Sequence, residues 1–433
     1  MWEMLPKRRI IWFFLFVFLL SGNSTVQAKM SVQDLIDQAK DGGTVEIPSG
    51  TYKESININK PVTVIGAENV TIISDGKTPA IKIKNKGASV KNIRIENKSA
   101  ETAIFISGSN HLINNVTIKT AGYGIQLNEA NKIEIDGVKI SGTTDEKHGQ
   151  QNGIDLFRSK DNLIKNNSIT TVKDGIYVDT STGNTITGNK VSYSRYGLHF
   201  MFTQGNTVKG NTFSQNLTGS MIMGSHNEVY SENYLLKNRQ NVNSQGLYLY
   251  DVQDTMIQNN YIRDNRIGIM IDNSFTNSIL HNDVQGNAIG IIFKQSTKNR
   301  ITRNDFQINV ITILTYGGDS KNNKLYENYW DSQMGLDGNG DGFSDLAVVA
   351  DPYFMRIMDK NSAYQLLFQS PGMVIMEKLF KGNEGSLVKD QSPAMIPNIQ
   401  EDRQIDFNRG IMLISILFIL SSFIIYFWGR KKL

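Results

Sequence analysis

The chain has 433 residues, 45 basic against 41 acidic for a formal net charge of +4, and no cysteine. Charges of both signs are interleaved, so no long basic face advertises nucleic acid as a partner. The missing cysteine excludes disulfides, thiolate metal sites and a cysteine nucleophile, leaving methionine and histidine to hold any soft metal.

At the N-terminus, Lys7, Arg8 and Arg9 precede the apolar run Ile10 to Leu20 and a polar stretch ending in Val26-Gln27-Ala28. The run is too short to span a bilayer and the small residue at the end suits cleavage, so residues 1–28 read as a signal peptide. A retained anchor is the alternative. Residues 31–43 follow as a short amphipathic helix, with Ser31 as N-cap, Val32, Leu35, Ile36 and Ala39 on one face and Gly42-Gly43 as the stop. Such a helix would cap the open end of whatever sheet comes next. From Thr44 onward, apolar and polar residues alternate between turn residues, which is the pattern of successive short strands.

From Gly124 a repeat becomes measurable. Gly153, Gly175, Gly197 and Gly219 stand at one constant interval, as do Gly246, Gly268 and Gly290, while Gly124 to Gly153 and Gly219 to Gly246 are longer. A second marker has the same period: Asn167, Asn189, Asn211 and Asn233, then Asn260, Asn282 and Asn304. A third runs through Asn162, Asn184, Asn206, Asn277 and Asn299. Three short strands per unit, with Gly or Asn at the turns, define an all-β parallel β-helix over residues 29–330 with one 22-residue repeat per coil. A propeller blade needs about 40 residues, and the LxxLxL pattern of leucine-rich repeats is absent. At the usual strand spacing, Thr44 to Trp330 would give about 13 coils and a rod roughly 60 Å long. The recurring asparagines are expected to form side-chain ladders. The two long intervals contain TTDEKHGQQ and KNRQNVNSQ, which would be loops flanking the central coils.

Alternation assigns faces within a strand. After Gly197, Leu198 and Phe200 point in while His199 and Met201 point out; after Gly219, Ile222 points in while Met221 and Met223 point out. A coil of one repeat length places His199 under Met221 and Met201 under Met223. The neighbouring rows are Tyr177 and Asp179 on one side, then Tyr248 and Tyr250, and Met270 and Asp272, on the other. Thioethers with an imidazole favour Cu(I), whereas carboxylate-rich sets favour Ca or Mg. Two other readings of the stripe stand beside this one. It would also serve as an exposed apolar docking surface. Alternatively, Asp155 and Asp179, with Asp272 on a comparable position, would serve a polysaccharide lyase, epimerase or hydrolase, since glycoside hydrolysis needs two carboxylates about 5–10 Å apart.

Residues 331–380 read as a C-terminal cap. Asp337, Asn339 and Asp341 occupy the first, third and fifth positions of a calcium-type loop, with Asp345 close behind, but the bidentate acid at position twelve is replaced by Val348. A polar turn held by Asx hydrogen bonds is the alternative to calcium. Short helices follow, with Met355 and Met358 at helical spacing and Pro371 opening the second. Residues 381–410 are polar and read as a linker. Residues 411–428 are uncharged and apolar, long enough for one transmembrane helix, and the basic tail 429–433 would stay cytoplasmic, leaving the body outside.

The order of these pieces resembles the NosD family. The motifs that carry the resemblance are the GGTVEIPSGTY opening, the RYGLHFMF unit followed by GSMIMGS, NYWDSQMGLDGNGDGFSD, and the tail AYQLLFQSPGMVIMEKLF. The resemblance implies a right-handed β-helix that handles copper outside the cytoplasm during maturation of nitrous oxide reductase. It further implies a copper chaperone as donor, the membrane and ATPase subunits of an ABC transporter as partners, and no catalysis. The copper ligands expected here are His199, Met201, Met221 and Met223. The C-terminal anchor departs from the soluble periplasmic form and implies a protein tethered at the outer face of the cell membrane.

Overall fold

The computed structural model of the chain describes residues 30–143, 151–316, 320, 322–333, 335–350 and 388–399. The expected signal peptide, the short helices within 351–380 and the apolar run 411–428 lie outside these residues. Among the described residues no helix is long and apolar enough to cross a membrane.

Strands of two to seven residues, most carrying one or two buried β-branched or aliphatic side chains, wind into a parallel solenoid with three faces. Every third strand joins the same sheet, and the sheets hold 15, 13 and 12 strands among the described residues. The 12-stranded sheet, from Ile56–Ile58 to Ile311–Tyr316, means about twelve coils, one fewer than the chain length implied, because the early and the insertion-bearing coils are longer than the regular repeat. Ile154, Ile176 and Leu198 pair in register, as do Leu247, Ile269 and Ile291, and each lies at 0% exposure in one continuous core. Burial of each such side chain is worth about 1.5–3 kcal/mol, so the stacked columns outweigh the contribution of any single turn.

The helix Val32–Gln38 closes the N-terminal end. Ser31 accepts from the Asp34 amide at 3.1 Å, as expected of the N-cap. The first coil holds both helix ends: Glu54 accepts from the Val32 amide at 3.0 Å, and Lys60 Nζ donates to the Asp37 and Ala39 carbonyls at 2.8 and 2.7 Å. Val32 and Ile36 turn inward onto the coil.

The asparagines form the ladders that their spacing implies. Asn211 Oδ1 accepts from both the backbone amide and the Nδ2 of Asn189, while Asn211 Nδ2 donates to Asn233 Oδ1 and to the Ile186 carbonyl. This satisfies buried backbone groups at a corner where no strand partner exists. The residue before each rung takes a positive φ, at Gly210 and Gln215 for example, which makes the bend. The glycines at the strand starts have another cause than the turn expected of them. A Cβ on Gly197 would lie 2.5 Å from the Gly219 carbonyl oxygen, so these positions are glycine because the next coil's backbone passes too close for a side chain.

Two features depart from a uniform rod. Residues 388–399, within the stretch expected as a linker, bind the final coils: Lys389–Asp390 pairs with Lys324–Tyr326 and Val348–Val349. Asp390 supplies the last rung of an asparagine ladder by accepting from Asn328 and from Trp330 Nε1, and Asp305 accepts from the Asn398 and Ile399 amides. A ladder that runs to the end of a rod leaves acceptors and donors open there, and this segment closes them. A second apolar cluster, Ile267, Ile289, Ile292, Ile311 and Leu314, with Met270 packed on it, forms separately from the coil interior.

Candidate metal centre

The patch is built on the 12-stranded sheet by the strands Asp174–Asp179, Tyr196–Met201, Thr218–Met223 and Gln245–Tyr250. Their register is the one expected: His199 pairs with Met221 and Met201 with Met223, with Tyr177 and Asp179 one coil before and Tyr248 and Tyr250 one coil after. Leu198, Phe200 and Ile222 belong to the interior core, whereas His199, Met201, Met221 and Met223 do not. The four candidate ligands therefore stand on one face, in two adjacent coils.

This face is not an open surface at its centre. His199 and Met221 are each only 7% exposed, and Met201 and Met223 are half-buried. Neighbouring rings provide the cover: Tyr177 and Tyr196 flank the imidazole with centroids 4.9 Å away, at 59° and 80° to its plane. At the edge, Phe202 and Tyr250 are 60% and 40% exposed, so the exposed apolar surface forms a rim around a sheltered centre.

His199 is held by groups that strand alternation does not reveal. Its Nδ1 lies 2.9 Å from Asp174 Oδ2, and Arg195 grips the same carboxylate through Nε and Nη2 at 2.8 and 2.6 Å. Burial pushes the Asp174 carboxyl up, but the His199 and Arg195 hydrogen bonds and charges outweigh it and hold the group below the usual carboxylate range. Alternation from Ile176 would turn Asp174 inward. The break occurs at Gly175, and the signal for it in the sequence is the glycine itself. The other ring nitrogen, Nε2, is buried with no hydrogen-bond partner. The Tyr177 hydroxyl lies 3.2 Å from an Asp179 carboxylate oxygen and 3.3 Å from the Met201 sulfur, so its one proton can serve either acceptor.

The carboxylates weighed for carbohydrate chemistry are arranged differently from one another. Asp155 sits one coil below Tyr177, where burial lifts its carboxyl to about 6 against the opposing hydrogen bond from Asn152, with the Asp179 and Asp174 charges adding to the rise. Asp179 is engaged by Tyr177 and Thr180. Asp272 accepts from Tyr248 at 3.1 Å and pairs with Lys294 at 2.9 Å, so it is a structural ion pair.

The loop Asp337–Asp345 carries the Asx hydrogen bonds of a polar turn. Asp337 accepts from the amides of Gly340, Asp341 and Gly342, Asn339 accepts from Asp341, and Asp345 accepts from Gly338. Among the described residues no three His, Asp or Glu side chains come together as a metal-holding group, here or on the patch.

These observations define a right-handed parallel β-helix carrying a histidine–methionine patch on one face; the sequence model of the right-handed β-helix region matches residues 59–191. Residues 138–340, which contain the whole patch, match the family described as periplasmic copper-binding protein (NosD), so the resemblance read from the motifs is borne out. No curated protein matches in sequence. Solved structures of similar fold include the periplasmic alginate epimerase AlgG, at 14% identity over 69% of this chain and 82% of that one with a TM-score of 0.53. Others are a variant catalytic domain of GH87 alpha-1,3-glucanase with bound tetrasaccharides, at 14% identity, 70% and 68% coverage and a TM-score of 0.51, and the Streptococcus pneumoniae surface protein and adhesin PfbA, at 16% identity, 66% and 95% coverage and a TM-score of 0.50. At these identities the likeness shows the fold alone.

Proposed function

We propose that this protein binds copper outside the cytoplasm and passes it on during maturation of nitrous oxide reductase, with His199, Met201, Met221 and Met223 as the ligands. The observation that carries the reading is His199 Nε2, buried and unpartnered on the face that carries Met201, Met221 and Met223. A buried polar atom without a partner costs about 1–3 kcal/mol, and a metal ion would relieve that cost. One imidazole and three thioethers form an uncharged, soft set, which suits Cu(I) and suits release to an acceptor better than a thiolate cage would. The copper-binding description of the matched family supports the reading.

The partners follow from the NosD resemblance: a copper chaperone as donor, the reductase as acceptor, and an ABC transporter whose membrane and ATPase subunits dock the protein. The exposed rim of Phe202 and Tyr250 is suited to such contacts. Cleavage after Ala28 and a membrane helix over 411–428 would hold the rod at the outer face of the membrane. Deleting residues 411–433 should then move the protein from the membrane fraction to the soluble exported fraction, and continued membrane retention would argue against the tether.

Titration of the purified protein with Cu(I) against a competing chelator tests the copper reading. Met221→Ala combined with Met223→Ala should weaken binding at least tenfold, and an unchanged affinity would overturn the ligand assignment. The second reading, a carbohydrate-active β-helix enzyme, is favoured by one observation: Asp155, lifted to about 6, has the protonation behaviour of a general acid. Turnover of a polysaccharide that is lost in Asp155→Asn would select that reading.

A further inference from the structure

The two nitrogens of His199 face unlike surroundings, and the difference decides which one carries the proton. Nδ1 points at a carboxylate that can only accept, while Nε2 has no partner at all. We infer that Asp174 and Arg195 are positioning residues that hold the His199 ring with its proton on Nδ1, so that Nε2 is left without a protein partner, on the face that carries the methionine pairs, as the one rigid ligand of the site. The inference rests on the copper reading of that patch.

A proton on Nε2, in the other tautomer or in the imidazolium, would leave a buried N–H with nothing to accept it, at a cost of about 1–3 kcal/mol. A proton on Nδ1 gains a charge-assisted hydrogen bond instead. Arg195 has a separate part in this. The guanidinium, bound to the same carboxylate through two nitrogens, holds it in place behind the ring. Arg195 also lies 4.4 Å over the Tyr196 ring, and Tyr196 in turn packs edge-on against the imidazole. The arginine thereby fixes both the carboxylate behind the ligand and the ring beside it.

Selectivity follows from the same arrangement. Methionine side chains adapt to many geometries, so the fixed imidazole sets where the ion sits. One imidazole and three thioethers are soft, uncharged donors, which favours Cu(I) over Zn(II) and Cu(II).

The test is long-range ¹H–¹⁵N correlation NMR on the metal-free full-length protein labelled with ¹⁵N-histidine. Only five histidines are present, and His199→Ala identifies the signals of this ring. The wild-type protein should show a protonated Nδ1 and an unprotonated Nε2 for His199, and Asp174→Ala should shift the ring toward an Nε2–H or mixed population. Asp174→Ala and Arg195→Ala should each weaken Cu(I) binding about tenfold or more, with Arg195→Lys recovering part of the loss. An Nε2–H signal in the wild-type ring overturns the inference whether or not copper binds. The expected tautomer in a protein that fails to bind Cu(I) would support the positioning role and remove the copper reading instead.

Discussion

His199 and Met221 occupy equivalent positions in consecutive coils, and both are 7% exposed although neither belongs to the interior core. A side chain can therefore be outside the solenoid and still be sheltered. The shelter comes from Tyr177 one coil before and Tyr196 on the same strand, and it turns a surface stripe into a low-dielectric site where a soft ligand set can act. The same burial means that substitutions here change stability as well as binding, and the two effects must be measured separately.

For Met221→Ala we expect a loss of about 1–3 kcal/mol of stability, near the lower end for a core methionine because the site opens to solvent on one side. Met223→Ala, half-buried, should cost less than about 1 kcal/mol by the same reasoning. Thermal melts of the metal-free variants give these values, and only a fall in Cu(I) affinity beyond them reports on the ligand role.

Acid should stabilise the metal-free rod. Burial lifts Asp155 from 3.8 to about 6, and burial lifts Glu228 from 4.5 to about 7 against hydrogen bonds from Thr203 and Asn206. A raised folded value favours the protonated form in the native state, so the stability each group contributes is complete below about pH 4 and lost as the pH rises through about 6 and 7. The melting temperature should fall between about pH 4 and pH 8. Asp155→Asn should flatten the lower part of that profile and Glu228→Gln the upper part.

Glu228 occupies a ladder position that asparagine fills in the coils before it, accepting from the Asn206 amide and Nδ2 but offering no donor when ionised. Glu228→Asn should restore a donor at that corner and stabilise the protein near pH 8 by about 1–2 kcal/mol, read as a rise in melting temperature. An unchanged or lower melting temperature would contradict this, since the Thr203 hydroxyl donates to Glu228 itself and supplies no donor in its place.

Asn211→Ala makes the opposite case. It removes the acceptor for the Asn189 amide and the donor to the Ile186 carbonyl, both buried, and should cost about 2–4 kcal/mol. Hydrogen exchange should show the lost protection confined to the adjacent coils, because each repeat touches only its neighbours.

The period, the ladders and the pairing of His199 with Met221 were legible because each depends on one fixed repeat length, which the sequence displays directly. The carboxylate behind His199 was not. Asp174 reaches the outer face only because alternation fails at Gly175, and Arg195 joins it from the next coil. The closing of the ladder by Asp390 was equally hidden, since it joins Asn328 to a residue 62 positions away with no repeat to announce it. The glycine column was visible, but its cause lies in the packing: the intervals mark a position, and only the 2.5 Å approach of the next coil explains why a side chain is excluded there.

X-ray absorption spectroscopy of the Cu(I)-loaded protein tests the central claim most directly. A first shell of one imidazole nitrogen with two or three sulfurs is expected, losing its imidazole scattering in His199→Ala and all but the Met201 sulfur in Met221→Ala with Met223→Ala. A shell of oxygen and nitrogen alone, or one unchanged by these substitutions, would contradict it.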